Sequence, residues 1–300
     1  PDGKARIIVC NNNFHGRTTT IVGFSTDAEY RRGFGPFSGG FDAIPHGDAE
    51  ALEKAITPDT CAFLVEPIQG EGGILMPPKG WLKKVQEICR KHNVLLILDE
   101  IQTGMGRTGH LYACAEDGVA PDILAIAKGL GAGYQPIGAM LASRRIYDTL
   151  VNGSGFFQHG HTYMGHATAC AAALAVQRVI GRDNLLANVL ARGEQLRTRL
   201  REVFADHPNV GDVRGRGLFV GVEFVRDRAD KSVLDPAMKT HARLKRQAME
   251  NGLMVYPMGG TVDGVRGDHV LLAPPFICTA ADIDEIAALL DRTVRQILPA

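Results

Sequence analysis

Two apolar runs in the first half of the sequence each end in a group able to do chemistry. Leu95-Leu96-Ile97-Leu98 ends in Asp99-Glu100, and Ile123-Leu124-Ala125-Ile126-Ala127 ends in Lys128-Gly129. Short apolar runs of this kind read as buried strands. A carboxylate and an amine therefore stand at the C-terminal ends of two strands, where open α/β sheets place their ligands. An isolated ionised group is costly to bury there, so each needs a partner. Three readings compete. Asp99 caps a turn and Lys128 is a surface lysine; or the Asp-Glu strand binds magnesium in a nucleotide hydrolase; or both groups serve one organic cofactor. The hydrolase reading needs a G-x-x-x-x-G-K-[ST] loop, which the sequence lacks.

Pyridoxal 5'-phosphate supplies both partners at once. Its protonated ring nitrogen donates a charge-assisted hydrogen bond to a carboxylate, and its aldehyde condenses with a lysine amine to a Schiff base. The flanking residues make the match specific. Leu98-Asp99-Glu100-Ile101-Gln102-Thr103-Gly104-Met105-Gly106-Arg107-Thr108-Gly109, followed by Ala127-Lys128-Gly129, resembles the cofactor signature of class III pyridoxal-phosphate aminotransferases. So do Val65-Glu66-Pro67-Ile68-Gln69-Gly70-Glu71-Gly72-Gly73 and His161-Thr162-Tyr163. The resemblance implies a fold-type I α/β transferase, with a mostly parallel sheet, helices on both faces and a small C-terminal α+β domain. It also implies amino-group transfer from an ω- or α-amine, ornithine-like or an ω-amino acid, onto a 2-oxo acid. A mutase or decarboxylase with the same cofactor, and a catalytically silent fragment, are the alternatives.

Residue roles follow from the same resemblance. Asp99 would hold the proton of the ring nitrogen, and Lys128 would bind the aldehyde and then shuttle the substrate proton from apolar surroundings. Phe14 matches the aromatic stacked on the ring, and His15 and Glu66 join the cofactor set. Gln102 matches a residue bonded to the ring hydroxyl oxygen. Thr162 matches one that reaches the phosphate of a neighbouring subunit's cofactor, which implies a homodimer with shared active sites.

The two halves resemble different branches. Residues 1 to about 118 resemble ornithine aminotransferases, in which the arginine matching Arg17 binds the substrate α-carboxylate. There the glutamate matching Glu71 pairs with a second arginine, whose position here is Leu271, in His269-Val270-Leu271-Leu272-Ala273-Pro274-Pro275. Glu71 is thus expected to turn to Arg266, to solvent or to a proton, and Leu271→Arg to restore the pairing. From Pro121 onward the sequence resembles ω-amino acid:pyruvate-type enzymes, some of which bind carboxylates with a mobile arginine near the position of Arg266.

Composition bounds the alternatives. Lys+Arg and Asp+Glu both number 33, which gives no pull toward nucleic acid or an anionic membrane. The six cysteines are scattered without a C-x-x-C pair, and with no signal peptide this reads as a cytoplasmic protein with reduced thiols. No apolar run nears the roughly 18 residues of a membrane helix. His159, His161 and His166 lack a nearby carboxylate or thiol and form a poor ligand set, so no metal is expected. The family carries a further segment before the position of Pro1, holding a phosphate loop, so the sequence reads as N-terminally truncated.

Alternating strand and helix patterns up to about Ser143 position these groups. Strands are expected at 6–9, 62–65, 94–98, 123–127 and 137–141, a pattern that favours parallel pairing. A helix with Trp81, Leu82, Val85, Ile88, Cys89 and His92 on one face packs on the sheet. Residues 169–180 read as a buried helix, leading into one with a stripe of Val189, Leu196, Leu200, Val203 and Phe204. The division between a cofactor domain, 1–185, and a small domain, 186–300, is placed where this pattern changes. Beyond it, strands are expected at 218–224, 254–256 and 269–272, and a charged helix at 239–250. A last helix opens with Thr279 and Asp282 as a capping box. Arg214-Gly215-Arg216-Gly217 reads as a turn feeding a strand.

Overall fold

The computed structural model describes residues 5–299. Strands β1 (Arg6–Cys10), β2 (Phe41–Ile44), β3 (Thr60–Val65), β4 (Leu95–Asp99), β5 (Ile123–Ile126) and β6 (Ala139–Ala142) form one sheet in the order β2-β1-β3-β4-β5-β6. Every pairing is parallel except the last, where β6 runs antiparallel to β5. Along this part of the chain lie helices α1 (Thr19–Gly23), α2 (Ala28–Arg31), α3 (Ala49–Ala55), α4 (Trp81–Lys91), α5 (Ala113–Glu116) and α6 (Arg144–Asn152). The chain leaves β1 toward β2, then crosses back over β1 to form β3. That reversal creates the crevice in which parallel sheets bind ligands.

The face expected on α4 forms. Trp81, Leu82, Val85, Ile88 and Cys89 are buried in one core with Ile8, Phe63, Val65, Leu96 and Leu98. His92 departs from it, because it follows the last helical residue and turns to Glu53. Residues 137–141 were expected to continue the sheet. The strand formed is 139–142, at an edge, with all four residues exposed. β2 had no recognisable pattern, since it is four residues long with only Ile44 buried.

The second half contains helices α7 (Ala167–Arg182), α8 (Leu185–Val203), α9 (Thr240–Glu250) and α10 (Ala280–Ile297). Strands β7 (Val210–Arg216), β8 (Phe219–Phe224), β9 (Tyr256–Gly259) and β10 (Asp268–Leu272) pair antiparallel in the order β7-β8-β10-β9. Val189, Leu196 and Leu200 of α8 share a second core with Leu244 of α9, Leu290 and Val294 of α10, and Val220, Val222 and Val270 of the sheet. The Thr279–Asp282 capping box is present at the start of α10. Among the described residues, no helix is long and apolar enough to cross a membrane.

Three expectations here are corrected. α7 is not a buried helix: among its side chains only Ala169, Ala173 and Ile180 are buried, and Leu174 is half exposed. An alanine-rich apolar run follows helix propensity as much as burial. Arg214-Gly215-Arg216 is strand β7 itself, and the turn follows at Gly217. Gly217 has a positive φ of 56°, and a Cβ there would overlap the Thr108 backbone. The strand expected at 254–256 forms instead at 256–259, because its register is set by pairing with β10.

The loop after β3 meets the second sheet in a small apolar cluster of Ile68, Ile74, Phe219 and Leu271. Half-buried Arg107, in the loop after β4, adds a further tie to the second half, donating to the carbonyls of Leu218 at 3.0 Å and Pro274 at 2.7 Å. Its guanidinium also lies 4.5 Å from the centre of the Phe276 ring. Burial lowers the Arg107 pKa to about 10, at which the guanidinium still carries its charge near neutral pH.

Candidate active site

β1, β3, β4 and β5 are consecutive in the sheet, and all four run parallel. Their C-terminal ends therefore open on one edge, which gathers the loop 11–17, Glu66, Asp99 and Lys128. Asp99 Oδ1 accepts from the Ile101 amide at 2.9 Å, and Oδ2 lies 2.7 Å from His15 Nδ1. The two side chains are only 3% (His15) and 7% (Asp99) exposed. Burial of the His15 ring opposes protonation. The hydrogen bond to Asp99 and the charges of Glu66 and Asp99 outweigh it, so the His15 pKa is raised. His15 Nε2 is buried and has no partner among the described residues.

Glu66 is buried behind this pair. It accepts from the amides of Phe14 at 3.1 Å and Gly70 at 3.2 Å, tying the loop after β1 to the loop after β3. Burial, reinforced by the negative charge of Asp99, pushes its pKa up to about 7 against the opposing effects of His15 and the two amides. Glu100 faces elsewhere, accepting from the amides of Ala113 at 2.6 Å and Cys114 at 2.8 Å at the start of α5. The Asp-Glu pair of the sequence is thus split between two environments. Asp99 belongs to the edge of the crevice, and Glu100 holds a helix start.

Asp99 is in register with Ala125 of β5, three residues before Lys128. Lys128 opens a short 3₁₀ turn, Lys128–Leu130, at a φ of +36°. This left-handed region costs a non-glycine residue roughly 1–2 kcal/mol. The apolar surroundings expected for Lys128 are not found. Its side chain is exposed and makes no hydrogen bond or ion pair among the described residues. A buried carboxylate, an orphaned imidazole nitrogen and an unpartnered amine on one sheet edge fit the ring nitrogen and aldehyde of pyridoxal phosphate.

A second group of side chains borders the first. The Arg17 guanidinium lies 5.4 Å from the Phe14 ring centre and 4.7 Å from that of Tyr30, and the two rings meet edge to face. Glu71 Oε1 accepts from Gln102 Nε2 at 2.9 Å, and Oε2 accepts from the Tyr256 hydroxyl at 3.0 Å. Gly70 lets this happen, since a Cβ there would overlap the Gln102 amide.

One of the three alternatives expected for Glu71 is not found here. Arg266 does not turn to Glu71; its Nε donates to Asp263 at 2.6 Å within its own exposed loop. Leu271 is 8% exposed and packs with Ile68, Ile74 and Phe219. Thr162 is exposed in the loop before α7. Sequence reasoning missed Tyr30 and Tyr256. The latter stands 185 residues from Glu71, and no local pattern links them.

The chain is similar to known proteins in sequence and in fold. The aminotransferase class-III family model matches residues 1–294. The ornithine aminotransferase of Halalkalibacterium halodurans is 43% identical over 284 residues, which cover 95% of this chain and 65% of that protein. The solved ornithine aminotransferase of Toxoplasma gondii, described with partial occupancy of PLP at its active site, superposes with a TM-score of 0.86 at 36% identity. That match covers 99% of this chain and 65% of the other. An (S)-enantioselective omega-transaminase from Thermomicrobium roseum gives 0.89 at 32% identity, over 98% of this chain and 68% of that one. The chain spans between 54% and 65% of the length of curated relatives it matches. This sequence and fold place the chain in the aminotransferase class-III family.

Proposed function

We propose that this chain performs pyridoxal-phosphate-dependent transamination, moving an amino group between an amino acid or ω-amine and a 2-oxo acid. The observation that carries the reading is the buried His15–Asp99 pair at the end of β4, beside a β5 strand that delivers the unpartnered Lys128. When bound, the cofactor supplies an aldehyde for amines and a ring that accepts the electron pair of the reacting carbon. Asp99, oriented by His15 and the Ile101 amide, would hold a proton at the ring nitrogen. Lys128 would bind the aldehyde and would then hold and move the proton taken from the substrate carbon that bears the nitrogen. Phe14 would lie against the ring, with Glu66 fixing its backbone. Arg17, exposed and without a carboxylate partner among the described residues, would take the substrate carboxylate.

Thr162 would act across a dimer interface. Support comes from the exposed apolar side chains around it, with Phe156 65%, Tyr163 79% and Met164 67% exposed. The test of the reading is covalent trapping. Borohydride should fix pyridoxal phosphate on Lys128 in peptide mapping, and amino transfer should appear with an ω-amine or α-amino acid and a 2-oxo acid. Trapping on another lysine sinks the assignment. Release of carbon dioxide or an isomerised amine as the main product favours the decarboxylase or mutase alternative, and no turnover of any kind favours the silent fragment.

A further inference from the structure

Glu100, the second carboxylate of the Asp99-Glu100 pair, is fully buried and bonds in three directions. Its amide donates to the Ala125 carbonyl of β5 at 2.9 Å, linking the strand that ends at Asp99 to the one that leads to Lys128. Its carbonyl accepts from the Gly104 amide at 2.9 Å and closes the turn that begins with Ile101, whose own amide holds Asp99. Its carboxylate accepts from the Ala113 and Cys114 amides at the start of α5. Tyr112 precedes that helix without a side-chain cap. A serine or aspartate there would satisfy such amides locally. The remote carboxylate does more, because it ties the helix to the end of β4.

The tied loop bears directly on Lys128. Met105 is buried at a φ of +55°, and Gly129 runs so close to it that an added Cβ would come within 3.1 Å of the Met105 Cβ. Lys128 itself has a φ of +36°. Two non-glycine residues in the left-handed region thus stand on touching loops, and such conformations persist only where the surroundings hold them. We propose that Glu100 is a positioning residue: by anchoring the loop 101–105 to β5 and α5, it sets the spacing between Asp99 and Lys128. This rests on the transaminase reading, in which those two groups take the ring nitrogen and the aldehyde of the cofactor. If Glu100 were a helix cap and nothing more, its loss would disturb α5 alone.

Glu100→Gln keeps the shape but turns an N–H donor toward one of the two amides. It should lower kcat by about 10- to 100-fold with the amino-donor KM within about threefold, as lost alignment does and lost binding does not. The near-visible absorbance of the Lys128-bound cofactor should shift its pH midpoint upward by at least about half a unit, since a ring nitrogen held less firmly protonated withdraws less charge from Lys128. In the protein without cofactor, hydrogen exchange at 101–105 should quicken. Ala115→Gly, at an exposed position of α5, weakens the helix without touching Glu100 and should leave all three readouts unchanged. A Glu100→Gln protein that matches Ala115→Gly in all three would overturn the proposal. So would rapid exchange of the Gly104 amide in the unmodified protein, a measurement that stands even if the variant fails to fold. No Lys128-bound absorbance in the unmodified protein would sink the transaminase reading and the proposal with it. Normal absorbance, unmoved in Glu100→Gln, would count against Glu100 alone.

Discussion

Leu271 stands opposite Tyr256 in the β9–β10 pairing, and the two side chains meet different surroundings. Tyr256 reaches the carboxylate of Glu71, while Leu271 packs among Ile68, Ile74 and Phe219, where the loop after β3 meets the second sheet. An arginine at 271 therefore enters an apolar cluster before it can reach Glu71. Leu271→Arg should lower unfolding stability by about 2–4 kcal/mol, from lost packing and a poorly solvated charge. A denaturant titration checks this. An unchanged midpoint, together with improved 2-oxoglutarate turnover, would show that the position can open.

Lys128→Ala should separate chemistry from folding. The side chain is exposed and touches no polar partner, so stability should stay within about 0.5 kcal/mol. Turnover should fall by at least about 10²- to 10⁴-fold, the range lost with a positioned acid–base group. Borohydride should no longer fix the cofactor at that site. Parallel melting curves and turnover assays distinguish these outcomes from a general collapse.

The Glu66 carboxyl and the His15 imidazole should make stability depend on pH. Glu66 and His15 both have pKa values raised on folding, so the native state holds protons more tightly than the unfolded one. For Glu66 the contribution is full below the unfolded value of 4.5 and is lost as pH rises through about 7. For His15 it is full below 6.5 and is lost above that, as pH rises through the folded value. Urea midpoints should therefore decline from pH 5 to pH 8. Glu66→Gln should flatten the lower part of this decline and His15→Ala the upper part. A flat profile in the unmodified protein would refute the assignment.

Arg107 should prove structural and not replaceable by lysine. Its planar head serves two carbonyls and lies over the Phe276 ring, a geometry an ammonium cannot reproduce. Arg107→Ala should cost about 2–4 kcal/mol from hydrogen bonds of a charged donor and the ring contact. Arg107→Lys should recover less than half of that. Chemical denaturation of both variants measures the difference.

The sequence by itself determined the strands that deliver Asp99 and Lys128, the face of α4 and the start of α10. Each is written in local residue order: apolar runs ending in a charge, apolar residues at helical spacing, a threonine three before an aspartate. The motif residues around Asp99 and Lys128 were legible for the same reason, since both groups sit at the ends of such runs. Local order could not say that α7 would lie half exposed, because alanine favours a helix whether or not its face is covered. Nor could it place β9, whose register comes from β10. Only tertiary structure brought His15 to Asp99 across 84 residues and Tyr256 to Glu71 across 185. A polar side chain's partner is fixed by where the sheets and their crossovers place distant backbone, and periodicity along one segment carries no record of that.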